Sequence, residues 1–175
     1  LDWKQLEDFI DKEYYFILHA PRQSGKTTAI IEFAEELNRQ GKYRALYVST
    51  EAAHTAHDDI LFATESLLSE LKRKIQMLFA FEVEVIAYLE KLLLASPVKA
   101  DGLIHFLTFW AEKSPLPIVL FLDEFDGLAG NSLVSLLKQF RTGYTDRPKH
   151  FPQTICLIGV RDLRDYKVKT KEQED

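Results

Sequence analysis

Cysteine is almost absent from this sequence, and its scarcity removes one class of fold from consideration. The 175 residues include a single cysteine, Cys156, which lies in the apolar stretch TICLIGV. One thiol cannot form a disulfide within the chain, so a small secreted fold held by disulfides is excluded. We expect Cys156 to be a buried and unreactive side chain, as fits the reducing environment of the cytoplasm.

A long apolar run and an excess of positive charge are missing as well. No stretch approaches the roughly 20 apolar residues that a membrane-spanning helix needs, so we expect a cytoplasmic protein with no membrane contact. The net charge is −5, and the basic cluster Lys72–Lys74 is typical of a solvated helix face. Nucleic acid is therefore not a favoured partner. Because the first residue is Leu1 rather than Met, we expect the chain to be part of a longer protein.

The sequence does contain an alternation of strand-like and helix-like segments. Apolar residues at helical spacing predict helices over residues 1–13, 26–41, 52–74, 100–114 and 131–143. Compact apolar runs predict strands in YYFILHA, YRALYVST, IVLFLDEF and QTICLIGV. Residues 76–96 are ambiguous, because FEVEV alternates like a strand while VIAYLEKLLLA continues like a helix; helix is favoured.

This order of elements predicts one α/β domain that spans residues 1–175. Strands and helices that alternate along a chain form a mostly parallel sheet with helices on both faces. The N-terminal helix covers residues 1–13, the core covers residues 14–166, and residues 167–175 form a polar tail.

The turn after the first predicted strand has most of a phosphate-binding loop. The pattern G-x-x-x-x-G-K-[ST] is meaningful when a strand precedes it and a helix follows it, and both are predicted around SGKTT, Ser24–Thr28. Backbone N–H groups of this range can cradle phosphate at a helix N-terminus. Lys26 can reach the β- and γ-phosphates, Thr27 can hold Mg²⁺, and Gly25 lies where a side chain would meet phosphate.

The first glycine of the pattern is missing from this loop. Ala20 stands in its place and Pro21 follows, so the start of the loop has lost one N–H and has one fixed φ. Alanine is the smallest substitute, and it is acceptable if the backbone there does not require a positive φ.

Two acidic residues end the third predicted strand. The run IVLFL is followed directly by Asp123 and Glu124, and two carboxylates are a poor way to end a buried strand for stability alone. The pair makes sense if Asp123 meets the water shell of a magnesium ion and Glu124 polarises an attacking water. Arg161 follows the fourth predicted strand, and we consider it a candidate to sense the γ-phosphate, with a surface arginine as the equal alternative.

Another polar cluster follows the second predicted strand. His54, His57, Asp58 and Asp59 have the spacing for two imidazoles and a carboxylate on one helix face, but no further ligand stands out. We interpret the cluster as a solvated helix start rather than as a metal site.

Together the segments APRQSGKTT, LFLDEFDGL and GVRDLRDY resemble the AAA-like P-loop ATPases of bacteria and archaea, next to the STAND-type signalling ATPases. The resemblance covers residues 15–166. It implies a three-layer α/β/α sandwich with strand order 5-1-4-3-2, although no segment for the fifth strand is found. It implies ATP and Mg²⁺ as ligands, Asp123 at the metal, Glu124 as catalytic residue, and a nucleotide-binding loop made of Gln23, Ser24, Gly25, Lys26, Thr27 and Thr28.

The leading hypothesis is an ATP-binding, Mg²⁺-dependent ATPase module that acts as a switch or motor within a larger protein. A nucleic-acid motor of the terminase or helicase type is the first alternative, and a nucleotide-binding scaffold without turnover is the second. Self-association and contact with other domains of the same chain stay open as further interactions.

Overall fold

A parallel four-stranded sheet forms the centre of the molecule. The computed structural model describes residues 1–159, and its strands are Phe16–His19 (β1), Arg44–Ser49 (β2), Ile118–Asp123 (β3) and Thr154–Gly159 (β4). They are hydrogen-bonded in the order β1-β4-β3-β2, and every neighbouring pair is parallel. The predicted parallel α/β sheet is confirmed, and these four strands follow the expected order without its fifth member.

Helices connect the strands and cover the sheet. The six α-helices are Trp3–Asp11 (α1), Lys26–Gln40 (α2), Ile60–Leu78 (α3), Val83–Leu94 (α4), Gly102–Lys113 (α5) and Gly130–Gly143 (α6). Short 3₁₀ helices occupy Glu51–Ala56, Phe125–Gly127 and Tyr144–Asp146. No helix of residues 1–159 combines the length and the apolar character that crossing a bilayer requires.

Two apolar cores lie on opposite faces of the sheet. Residues of α1 and α2 pack with Val119 and Phe121 of β3, whereas residues of α3 to α6 pack with Leu120 and Leu122 of the same strand. Successive side chains of a strand point to opposite faces, so this division shows that helices cover both sides. All six positions of β3 are buried, as expected for a central parallel strand.

The helix predicted over residues 52–74 is wrong at its start. Residues 51–56 form a 3₁₀ helix, His57 has a positive φ of 47°, and α3 begins only at Ile60. The side chain of Asp59 accepts a hydrogen bond from the backbone N–H of Phe62, which caps α3 at that point. The predicted helix therefore begins later and runs on to Leu78.

The ambiguous segment 76–96 is mostly helical, as favoured, but it is divided between two helices. Helix α3 ends at Leu78 and α4 begins at Val83, with a turn in which the N–H of Glu82 donates to the carbonyl of Phe79. Glu82 turns inward, where its carboxylate accepts from Trp110 Nε1 at 2.7 Å and contacts Arg44 Nε at 2.9 Å. These tertiary contacts stop the alternation FEVEV from forming a strand.

Candidate functional site

An open cavity lies at the carboxyl edge of the sheet, where β1 and β3 end. Its volume is about 760 Å³. The lining residues come from the loop after β1, the segment after β2 and the loop after β3: Arg22, Gln23, Ser24, Gly25, Lys26, Thr27, Thr28, Glu51, His54, Glu124, Asp126, Gly127 and Ala129. All predicted residues of the nucleotide-binding loop, and Glu124, therefore line one cavity. Crevices at this edge are where open parallel sheets bind ligands.

The backbone of the loop explains why its missing glycine is tolerated. Positive φ values occur at Gln23, 58°, and at Gly25, 73°, but not at Ala20. The N–H of Ala20 donates to the carbonyl of Gly159 in β4 at 3.3 Å, so this residue extends the sheet pairing. The condition under which alanine is acceptable at this position is thus met, because the left-handed positions fall later in the loop.

The N-terminus of α2 faces the cavity without a side-chain cap. Gly25 is the capping residue and has no side chain to accept from the first-turn N–H groups, and the first turn contains no acidic residue. The first N–H groups of a helix have no partner within it, and they carry the positive end of its dipole. Lys26 begins this helix and is partly exposed. The loop therefore offers backbone donors and one cationic side chain to an anion.

Asp123 joins the loop to the acidic strand. Its Oδ2 atom accepts from Thr27 Oγ1 at 2.9 Å and from Tyr47 OH at 2.8 Å, and its Oδ1 atom accepts from the N–H of Glu124 at 2.8 Å. The side chain is only 1% exposed. A buried carboxylate requires such partners, because an unpaired charge would be costly away from water. The two residues predicted to hold metal are thus in direct contact.

Tyr47 is a site residue that the sequence did not indicate. It lies on β2, and burial raises the pKa of its phenol above the usual value, with a further contribution from the hydrogen bond to Asp123. The register pairs Tyr47 with Phe121, so Asp123 lies two residues further along the neighbouring strand. Side chains two residues apart share a face, which brings the hydroxyl to the carboxylate.

The donor set at Asp123 and Thr27 fits Mg²⁺. This ion prefers oxygen ligands and is commonly held by one or two carboxylates together with water and substrate phosphates. In the described part of the chain, no group of three or more His, Cys, Asp or Glu side chains could hold a metal by itself. A carboxylate and a hydroxyl beside a phosphate-binding loop suit an ion whose remaining ligands come from a nucleotide and water.

Glu124 adopts an unusual backbone conformation at the cavity wall. Its φ is 58°, in the left-handed region, and a 3₁₀ helix begins at the next residue. This conformation is costly for a residue with a Cβ atom and is found where surrounding contacts hold it. The side chain is half-buried and lines the same cavity as Lys26 and Thr27. A carboxylate there is within the space that a bound triphosphate would share.

The polar cluster after β2 is not a solvated helix start throughout. His54 is half-buried, and its Nε2 atom lies 2.8 Å from the backbone carbonyl oxygen of Glu124. Asp58 Oδ1 accepts from the N–H of Asn131 at 2.9 Å. Only Asp59 acts as predicted, because it caps α3. The sequence interpretation of His54 was therefore wrong, since its partner lies in the loop after β3, 70 positions away.

Cys156 and Arg161 complete the set of singled-out residues. Cys156 is fully buried, and burial raises the pKa of its thiol, so the expected buried thiol is confirmed. Arg161 lies outside the described residues, and its predicted role at the γ-phosphate stays a prediction.

Comparison with known proteins gives no family for this chain. No protein-family model matches the sequence, and no curated protein matches it. The chemistry of the cavity is therefore argued from its own residues.

Proposed function

We propose that this protein binds ATP with Mg²⁺ in the cavity at the carboxyl edge of its sheet and hydrolyses it to ADP and phosphate. The observation that carries the proposal is the 2.9 Å hydrogen bond between Thr27 and Asp123, with Lys26 and Glu124 lining the same cavity. It joins the loop after β1 to the acidic end of β3. The AAA-like or STAND-type P-loop ATPases are the family that we propose on the resemblance of the motifs.

Phosphate binding is assigned to the loop and the start of α2. Backbone N–H groups of residues 24–28 and the uncapped helix N-terminus favour a polyanion, and Lys26 adds a mobile positive charge. The left-handed residues Gln23 and Gly25 turn the chain around the phosphate position. The proposal needs no first glycine, because Ala20 has no positive φ.

Hydrolysis is assigned to Glu124, with Asp123 and Thr27 as the residues that would hold Mg²⁺. When bound, Mg²⁺ bridges phosphate oxygens and neutralises charge that develops on them. Glu124 accepts a proton from a water molecule, whose oxygen forms a bond to the γ-phosphorus while the bond to the bridging β–γ oxygen breaks. Lys26 stays beside the β- and γ-phosphate oxygens throughout.

The test of the binding site is Lys26→Ala. We expect the substitution to weaken Mg²⁺–ATP binding about tenfold or more, because hydrogen bonds to charged groups contribute at least about 1.5 kcal/mol. Isothermal titration calorimetry measures the change. Lys42→Ala is the matched control, since Lys42 is exposed beyond the opposite end of α2, a helix of 15 residues. Equal ATP affinity in the wild-type and Lys26→Ala proteins would contradict the proposed site.

The test of turnover is Glu124→Gln. The amide keeps the shape of the side chain but cannot accept the proton of water, so we expect ATP binding to persist while phosphate release falls about 10²-fold or more. Glu65→Gln, at an exposed position of α3, is the control. ATP binding without measurable wild-type turnover would favour the nucleotide-binding scaffold, and stimulation of turnover by DNA would favour the nucleic-acid motor.

A further inference from the structure

The segment after β2 packs directly on the loop that carries Glu124. His54 Nε2 is 2.8 Å from the carbonyl oxygen of Glu124. A carbonyl oxygen only accepts hydrogen bonds, so Nε2 must carry the hydrogen of this bond. The same oxygen also accepts from the N–H of Gly127 at 3.0 Å. Two donors therefore fix the orientation of the peptide group that follows Glu124.

The peptide group on the other side of Glu124 is fixed as well. Its N–H donates to Asp123 Oδ1 at 2.8 Å. With the N–H held by Asp123 and the carbonyl held by His54, both backbone neighbours of the Glu124 Cα atom are constrained. These bonds act on the residue whose φ of 58° is unfavourable for a side chain with a Cβ atom. His54 thus stabilises a conformation that Glu124 would otherwise tend to leave.

The imidazole of His54 has a close-fitting place beside Gly127. A Cβ atom built on Gly127 would overlap the His54 ring, so only glycine leaves room for the ring at this distance. The ring and the loop are therefore packed together, and the hydrogen bond is part of a larger contact rather than an isolated pair.

Contacts at both ends of the segment hold His54 in this position. Before it, Thr50 Oγ1 and the Thr50 N–H both donate to the carbonyl oxygen of Asp123 at 3.0 Å. After it, Asp58 accepts from the N–H of Asn131, and the N–H of Ser132 donates to the carbonyl of His57 at 3.3 Å. The segment after β2 thereby forms a bridge over the loop after β3, with His54 near its middle.

We propose that His54 is a positioning residue for Glu124: it holds the backbone of Glu124 so that the carboxylate faces the water that attacks ATP. This inference rests on the proposed ATPase function. The side chain of His54 acts through a backbone carbonyl, so it affects the direction of the carboxylate rather than the affinity for phosphate. A misdirection of about 1 Å in a reacting group lowers a rate by about 10²-fold.

The kinetic test compares His54→Ala and His54→Gln with the wild-type protein in steady-state ATP hydrolysis. We expect His54→Ala to lower kcat by about 10²-fold and to leave KM within about threefold, because the phosphate-binding loop is untouched. His54→Gln should recover part of kcat, since its amide can donate to the same carbonyl. His105→Ala is the control, because His105 pairs with Asp101 on the exposed surface of α5. An unchanged kcat in His54→Ala overturns the proposal.

A second measurement tests the contact without turnover. The Cα and Cβ chemical shifts of Glu124 in isotope-labelled protein report its φ, and we expect them to change in His54→Ala and to be largely restored in His54→Gln. Unchanged shifts in His54→Ala would overturn the inference, whatever the catalytic rate. Failure of the proposed function is distinct, because it appears as the absence of ATP binding in the wild-type protein.

Discussion

Removal of one hydroxyl, in Tyr47→Phe, tests whether the buried carboxylate of Asp123 depends on its hydrogen bonds. The Tyr47 hydroxyl donates to Asp123 Oδ2 at 2.8 Å, and the carboxylate is only 1% exposed. A hydrogen bond to a charged group contributes about 1.5–3 kcal/mol. Phenylalanine keeps the ring and its packing, so we expect the free energy of unfolding to fall by about 2 kcal/mol.

The expected change is readily measured by thermal or urea unfolding without nucleotide. For a chain of this length, about 2 kcal/mol corresponds to a fall in Tm of about 4–8 °C. Tyr43→Phe is the matched control, because the Tyr43 hydroxyl donates to Asp11 at 2.5 Å in an exposed pair. Exposed pairs contribute about 1 kcal/mol or less. The difference between the two substitutions isolates the effect of burial on the same pair of groups.

A double-mutant cycle with Asp123→Asn identifies the charge as the cause. Hydrogen bonds between neutral groups contribute about 0.5–1.5 kcal/mol, so we expect a coupling energy of about 1 kcal/mol between the Tyr47 hydroxyl and the charge of Asp123. If Tyr47→Phe loses no more stability than Tyr43→Phe, or if the coupling energy is zero, the carboxylate is stabilised by something other than this hydrogen bond.

Two further predictions concern stability away from the cavity. Leu37→Ala should lower the free energy of unfolding by about 3 kcal/mol, because Leu37 is fully buried between α2 and the sheet; Leu61→Ala, at a position 38% exposed, should cost less than about 1 kcal/mol, and equal losses in urea unfolding would refute the assigned core. Burial, followed by the hydrogen bond to Asp11, raises the pKa of Tyr43 from 10.0 to about 12. The folded state therefore keeps a proton that the unfolded state loses, so stability is complete below pH 10 and falls as the pH rises toward 12; Tyr43→Phe should flatten that fall, and an equal slope in both proteins would contradict it.

Local patterns in the sequence were sufficient to predict most of the architecture. The helix after the loop was expected over residues 26–41, and α2 spans Lys26–Gln40 with Gly41 in the left-handed conformation at its end. The strands were recognised from compact apolar runs, because central parallel strands are buried on both faces. The residues of the loop and the carboxylates after β3 could be singled out because strand ends and glycine turns are local signals.

The sequence also determined which chemistry to look for, but the contacts within the site were decided by tertiary structure. Tyr47 and His54 reach the site only through the pairing of β2 with β3 and the packing of two loops, and their partners lie 76 and 70 positions away. No periodicity or spacing along the chain records such a contact. The turn that divides residues 76–96 has the same origin, since Glu82 is drawn to Arg44 and Trp110. Local preferences are small, and buried charge that must find a partner outweighs them.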